Sequence, residues 1–524
     1  MKTKRRLIAY LLLAAMLLPL IACSSGNATP AASTPSSNTS ATNAPAVPVK
    51  DTITFANKAE PSNLATTGNN EIASYYLAMM IYSGLFKRGA EGVEKDLCSD
   101  YYTEKDANGQ ETIWVFKLRE GVKFSDGSDL TADDVVDTLM FAHEETAVKA
   151  LTGFYTKVEK VDDYTVKLYT DGVFATVPKA LADKACYILP SELIANGHDF
   201  GSNPIGSGPY KFVKWNKGDS IQLVANEYYY DGVPNIKNVN WRFIAEGTSR
   251  TVALESGEVD YVMDVASMDI PRLESDGRFT VSINNGSMFS YFLMNCTKEP
   301  FNDLNFRKFM AAAINREDAL AVAMDGYGTP IVTCININID GSSDKNGQGY
   351  DPEAAKKYLE AWGGDPTKIK FKMICSSDER RRFTEVIQSN LLEYGIQTDI
   401  EMAESATCSS LARSGDYDAF VFAYTTDDFA TYAKNLYYVS DEAHAGNKFR
   451  MNYDDSLNAM IDEINSITND AARAAKITEF TELLNAKQPV VPLYCSQVLT
   501  AYDKNLKGVS IDHMGYFRVE KFSW

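Results

Sequence analysis

Histidine is scarce in this 524-residue chain. There are four, His143, His198, His444 and His513, far apart and never at the i, i+4 spacing of a helical ligand pair. A histidine-based metal centre or catalytic base is therefore not expected. Cysteine offers no pattern either. After Cys23 come Cys98, Cys186, Cys296, Cys334, Cys375, Cys408 and Cys495, an odd number with no C-x-x-C pair. That argues against a disulfide framework and against a zinc site of the usual spacing. These cysteines read as small buried apolar residues, with one or two disulfides left open. G-x-S-x-G, G-x-x-x-x-G-K and G-x-G-x-x-G are all missing, so the common hydrolase and nucleotide-binding signatures are absent. Gly206-Ser207-Gly208-Pro209 is no substitute, because proline removes an N–H where a phosphate cradle needs donors. Asp441-Glu442-Ala443-His444 matches a helicase letter string, which means nothing without a phosphate-binding loop. Basic excess is lacking too: 51 Lys and Arg face 70 Asp and Glu, a net charge of −19. Such a balance rules against nucleic acid, whose phosphates reward basic surfaces. An enzyme is not expected, nor is any cofactor.

What the chain does have begins at its N-terminus. Lys2, Lys4, Arg5 and Arg6 precede an apolar run from Leu7 to Leu18, and Ala22 stands just before Cys23. A charged start, a short apolar stretch and a small residue at the cut make a secretory signal. The run is shorter than the roughly 20 residues of a spanning helix. Leu20-Ile21-Ala22-Cys23 resembles the lipobox of bacterial lipoproteins, which implies cleavage after residue 22 and acyl chains on Cys23. One chain binds only marginally at ~0.8 kcal/mol per buried CH₂, so lasting attachment needs several. Residues 24–49 are Ser, Thr, Ala, Pro, Asn, Gly and Val with no charge. They bury too little apolar surface to offset their ordering entropy. As a coil these 26 residues span roughly 30 Å. Loss of the four basic residues takes the mature chain to −23. No second long apolar stretch follows.

About 475 residues remain to fold, too many for one core and enough for two or three lobes. Strand and helix patterns alternate throughout, giving a mixed α/β class. Residues 52–55, 112–118, 121–127, 164–169 and 220–225 read as strands, the third ending in an Asp126-Gly127 turn. Residues 72–85, 305–314, 317–324, 352–362, 380–394, 457–467 and 471–484 read as helices, and Thr131 with Asp133 and Asp134 starts another. No internal repeat is visible.

Several ordered segments carry a family resemblance. Leu118-Arg119-Glu120-Gly121-Val122-Lys123-Phe124-Ser125-Asp126-Gly127, with Leu130 to Val136 after it, is similar to a hallmark of family 5 extracellular solute-binding proteins, the peptide and nickel binders of ATP-driven importers. Tyr82-Ser83-Gly84-Leu85, Pro204 to Tyr210, Asn226 to Pro234, Leu254 to Asp260, Asn295 to Arg316 and Tyr350 to Leu359 resemble further family elements in the same order. Most are scaffold by chemistry: turns at Asp126-Gly127 and Asp231-Gly232, backbone bends at Gly206 and Gly208, helix-start charges at Asp133 and Asp134.

The resemblance implies a two-lobed periplasmic-binding-protein-like fold of the type II, large three-segment form, with mixed sheets and a hinge. Its segments would be 50–90, 203–290 and 496–524 for the main part of lobe I, 91–202 for an inserted subdomain, and 291–495 for lobe II. The chain would cross between lobes near residues 290–293 and 491–494. A ligand would sit in the cleft and lobe closure would bury it.

In peptide binders of this kind the ligand backbone pairs like an added strand, and a carboxylate holds its ammonium. Asp416 to Asp427 resembles the segment that carries that carboxylate, which maps Asp427 to the anchor and Tyr424 to the aromatic before it. Thr425, Ala423, Phe289, Tyr291 and Tyr494 complete the expected ligand-binding set. Ala423-Tyr424 replaces the common Gly-Trp, and Val421 stands where some relatives carry arginine. The implied role is a monomeric, lipid-anchored receptor at the extracytoplasmic face of the cell membrane, delivering oligopeptides or dipeptides to a permease with its ATPases. An oligosaccharide or metal chelate is the alternative ligand. A sensor, an adhesin and a secreted hydrolase are readings of another class.

Overall fold

The computed structural model describes residues 50–69, 71–89, 92–439 and 455–524. The signal, Cys23, the 24–49 tether and the Asp441–His444 string lie outside them. Residues 50–524 form one compact unit, mixed α/β as the alternating pattern requires.

Its backbone is an eleven-stranded mixed sheet. From one edge the order is Gln397–Met402, Lys370–Cys375, Ala419–Thr425, Phe279–Met294, Val490–Asp503, Tyr261–Met263, Thr52–Asn57, Asn238–Phe243, Ser220–Ala225 and Tyr210–Asn216, with Thr329–Pro330 on Val490–Asp503. The two long central strands pair antiparallel, from Phe279 opposite Asp503 to Leu293 opposite Val490. Their register shifts between Asn285 and Phe289 and again between Ser290 and Tyr291. At the first break Gly286 lies so close to the partner strand that an added Cβ would fall 2.7 Å from Ser496 Oγ. On one side of the break the long pair continues into strands of residues 52–263, on the other into those of residues 370–425.

Five buried clusters flank this frame, and three regions of them bear on the site. In the first, aromatic rings from distant segments stack: Phe55 lies 5.0 Å from Trp241 and 5.4 Å from Phe517. The chain's last residues therefore belong with its first strand, and their burial is what joins segments far apart in sequence. The second core lies under a four-stranded antiparallel sheet, Cys98–Lys105, Glu111–Leu118, Thr165–Thr170 and Tyr155–Asp162, packed against the helix Ala132–Glu144. Strict alternation in Thr165–Thr170 puts Val166 and Leu168 into that core. The helix starts where Thr131 N donates to Asp134 Oδ2 at 2.7 Å. The third region, two adjoining clusters, fills the part built on residues 289–495.

The expected strand at 121–127 is a correction: only the Lys123–Asp129 bridge forms there. Asp126 takes the chain round instead, its Oδ1 accepting from Ser128 N at 3.0 Å. All seven described cysteines are buried and free. Burial pushes the thiols of Cys296 and Cys495 up to about 11. Among the described residues no helix is long and apolar enough to cross a membrane.

Candidate functional site

The strand Ala419–Thr425 ends beside the long strand Phe279–Met294, with Thr425 opposite Met288. Beyond it the loop is held by Asn336, whose Nδ2 donates to Thr426 O at 3.0 Å and to Ser287 O at 2.6 Å. Two aspartates follow and divide the work. Asp428 starts the helix Phe429–Leu436, its Oδ2 accepting from Thr431 N at 2.8 Å. Asp427 turns into a cavity of about 880 Å³ and is only 6% exposed.

Three basic side chains converge on that carboxylate. Arg88 Nη1 donates to Oδ2 at 3.0 Å, and His513 Nε2 lies 2.8 Å from the same oxygen. Lys179 Nζ stands 3.4 Å from Oδ1 and donates to the Asp427 carbonyl at 2.7 Å. Arg88 comes from the hairpin strand Phe86–Gly89 and is tied down by Arg518, whose Nε donates to the Arg88 carbonyl at 2.9 Å. Lys179 lies in the short helix Val177–Leu181. His513 sits in a C-terminal turn fixed by Asp512, whose Oδ1 accepts from Met514 N and Tyr516 N at 2.8 Å. Burial alone would push the Asp427 carboxyl up. The His513 hydrogen bond and the Arg88 and Lys179 charges outweigh it and hold the group well below the usual carboxylate range.

The rest of the cavity wall includes the aromatic rings of Phe86, Tyr101, Trp114, Phe174 and Phe429 and the polar side chains of Asn338, Asn465 and Thr468. Tyr101 and Trp114 stack at 6.0 Å.

Of the ligand-binding residues expected from sequence, Asp427 lines this cavity and the others do not. Phe289 and Tyr291 are fully buried, packed on each other at 5.2 Å. Tyr494 is buried beside Phe383 and donates to Glu379 Oε1 at 2.9 Å. Tyr424 is half-buried, its hydroxyl accepting from Asn435 Nδ2 at 2.6 Å. Ala423 is half-buried opposite Ser290, and Thr425 is exposed. These placements follow from strand pairing and aromatic packing, which absorb the side chains before they reach the cavity. Sequence reading missed Arg88, Lys179, Tyr101 and Trp114, and set His513 aside with the other histidines. A cation three residues after Tyr82-Ser83-Gly84-Leu85 was the one available hint for Arg88.

A buried carboxylate on the wall of an 880 Å³ cavity, set among hydrogen-bond donors, is equipment for binding a polar solute. The comparisons with known proteins agree. Residues 93–446 match the model of the bacterial extracellular solute-binding proteins, family 5, middle region. The chain belongs to that family. It is similar to the glutathione-binding protein GsiB of Escherichia coli strain K12, 25% identical over 453 residues, which cover 84% of this chain and 88% of that protein. Its fold is similar to that of HbpA2 from Haemophilus parasuis, with TM-score 0.80 and 22% identity over 90% of this chain and 99% of that one. It is also similar to the oligopeptide-binding protein AppA of Bacillus subtilis in complex with a nonapeptide, TM-score 0.70 and 22% identity, covering 90% and 98%. The family is one of solute-binding proteins, and the fold is that of its periplasmic-binding-protein-like members.

Proposed function

We propose that this protein is the lipid-anchored receptor of an ATP-driven importer, which captures short peptides in the 880 Å³ cavity and hands them to a membrane permease. The observation that carries the reading is Asp427, a buried carboxylate on the cavity wall. It anchors the ligand's ammonium through a charge-assisted hydrogen bond worth ~1.5–3 kcal/mol. Membership of the family and similarity to a glutathione-binding protein support a peptide-sized ligand. The residues meeting Asp427 come from segments expected in lobe I, and Asp427 from lobe II, so the cluster joins the two lobes across the cleft. The register break at Gly286 is a suitable place for the hinge. Cys23, acylated after cleavage, holds the receptor at the extracytoplasmic face, and the tether of roughly 30 Å keeps it near its permease.

The test is thermal stabilisation by peptides of two to six residues, free and N-acetylated, beside a set of oligosaccharides. Ligand at 100 Kd is expected to add ~2.7 kcal/mol, with acetylation abolishing most of it. If acetylation has no effect, or Asp427→Ala binds as well as wild type, the anchor role is wrong. A response to sugars alone overturns the peptide ligand.

A further inference from the structure

Five carboxylates and four lysine or arginine side chains line the cavity, and most of them have partners. Asp427 is held by Arg88 at 3.0 Å, by His513 at 2.8 Å on the same oxygen, and by Lys179 at 3.4 Å on the other. Asp428 starts its helix, and Asp512 accepts from two backbone N–H groups. Asp470 pairs with Arg473 at 2.5 Å. Lys95 is exposed, its Nζ donating to Ser99 O at 2.9 Å. The fifth carboxylate, Asp340, is exposed and has no hydrogen bond or ion pair among the described residues. Its backbone is fixed on both sides. Before it, Asn338 Nδ2 donates to Gly286 O at 2.9 Å. After it, the Gly341 carbonyl accepts from Thr478 Oγ1 at 2.9 Å on the helix Asp470–Lys487, and a Cβ at Gly341 would fall 2.2 Å from Ala474 O. The same loop holds the anchor, because Asn336 Nδ2 donates to Thr426 O, one residue before Asp427. Four residues span at most about 14 Å, so one pinned segment ties both carboxylates to the cavity. Apolar surface adjoins Asp340. Ile339 before it is buried, and the Cβ at Gly341 would also meet Ile477 Cβ at 2.9 Å. Both isoleucines line the cavity.

We propose that Asp340 is a specificity-determining residue, which takes the ammonium or guanidinium of a ligand's lysine or arginine side chain while the stem of that side chain lies along Ile339 and Ile477. This rests on the reading of the cavity as a peptide site with Asp427 as ammonium anchor, and it adds a second, separate contact. A side chain that is aliphatic along its stem and charged at its tip matches an acid set beside apolar surface. Asp427 stands among Arg88, Lys179 and His513, so a further cation is repelled there. At Asp340 it meets a carboxylate with no such competitor. With His513 uncharged, the carboxylates on the wall outnumber its lysines and arginines by one, and a ligand with one extra positive charge restores the balance. The loop at Asp340 is already ordered, so the contact costs only side-chain freedom. Filling the cavity displaces water around the pair and strengthens its attraction.

Tripeptides test this on the full-length protein by calorimetry: Ala-Lys-Ala and Ala-Ala-Lys, each beside the same peptide with norleucine, which keeps the stem and loses the charge. At one position or the other the lysine peptide is expected to bind at least threefold tighter than its norleucine partner. That ratio is expected to shrink as NaCl is raised to about 0.5 M. Asp340→Asn is expected to abolish the ratio while leaving the norleucine peptide's affinity within twofold of wild type. A wild-type ratio below threefold at both positions overturns the proposal, and so does a ratio that ignores salt or survives Asp340→Asn. Equal weakening of both peptides in Asp340→Asn overturns it as well. Should that variant fail to fold, Asp340→Ser is read in the same way. If peptides bind in an acetylation-sensitive manner without a lysine preference, the Asp427 anchor stands and the role of Asp340 falls. If none of the peptides binds, the peptide reading of the cavity falls and this proposal falls with it.

Discussion

Arg88 and Asp427 are 339 positions apart in the chain and meet at 3.0 Å, the guanidinium on the hairpin of the N-terminal part and the carboxylate beyond a strand of the 289–495 part. Each is largely withdrawn from water, so the pair's desolvation is offset only while both are present. A double-mutant cycle with Arg88→Met and Asp427→Leu is expected to give a coupling of about 1–3 kcal/mol in denaturant unfolding, with the double variant more stable than either single one. Additive single effects would mean the contact contributes nothing.

Acid reaches this pair late. The Asp427 carboxyl is held well below the usual carboxylate range, against the effect of its burial, by His513, Arg88 and Lys179. Its contribution is fully present above the unfolded carboxylate range near 4 and is lost only as pH falls through the depressed value. The stability difference between wild type and Asp427→Asn is expected to shrink as pH falls below 4. A difference that is already gone at pH 5 would contradict it.

Lys184 gives a slope of the same sign in an alkaline window. It is fully buried, its Nζ donating to Asn69 O at 2.5 Å and Thr66 O at 3.1 Å. Burial lowers its pKa to about 8. Between about 8 and the unfolded value near 10.4 the unfolded chain binds more protons than the native one, so stability rises with pH across that window. Urea midpoints measured from pH 7.5 to 10.5 are expected to climb for wild type relative to Lys184→Met. Parallel curves would refute the shift.

Gly208 sits where a side chain has no room. A Cβ there would fall 2.6 Å from the Ile81 carbonyl carbon and 2.7 Å from Met80 O, both backbone. Gly208→Ala is expected to cost about 1–3 kcal/mol by forcing the strand off the helix end. Unchanged melting would show that the two segments can part freely.

Trp114 lies on the aromatic wall of the cavity, stacked on Tyr101. Ligand binding is expected to shift the protein's tryptophan emission, and Trp114→Phe to remove most of that signal. Cys23→Ser is expected to leave ligand binding intact while moving the protein from the membrane fraction to the soluble one.

Much of the frame was legible because local rules and packing agree in it. Pro352–Trp362 begins at Asp351, whose Oδ1 accepts from Glu353 N and Ala354 N at 3.0 Å, and stops at Gly363. Ser220–Ala225 alternates and forms a strand over those same residues. The two long strands were not legible as wholes. Phe279–Met294 is mostly half-exposed in its first half and, Met288 apart, buried in its second, so neither a period of two nor a continuous apolar run spans it. In the site, a motif pointed to Asp427, but its partners are 339, 248 and 86 residues away. No periodicity reports a contact at that range. Phe289, Tyr291 and Tyr494 lie at or beside the segments expected to cross between lobes, and an aromatic side chain on a central strand has a core to fill first.

The seven buried cysteines have a practical meaning for labelling this solute-binding protein. Their thiols are shielded and, in Cys296 and Cys495, pushed up to about 11, so they react slowly with maleimides at neutral pH. Fluorophores attached to Tyr102→Cys and Leu392→Cys, two exposed positions in different parts of the molecule, would then report the distance between those parts with Cys23 as the one further thiol to be blocked or replaced.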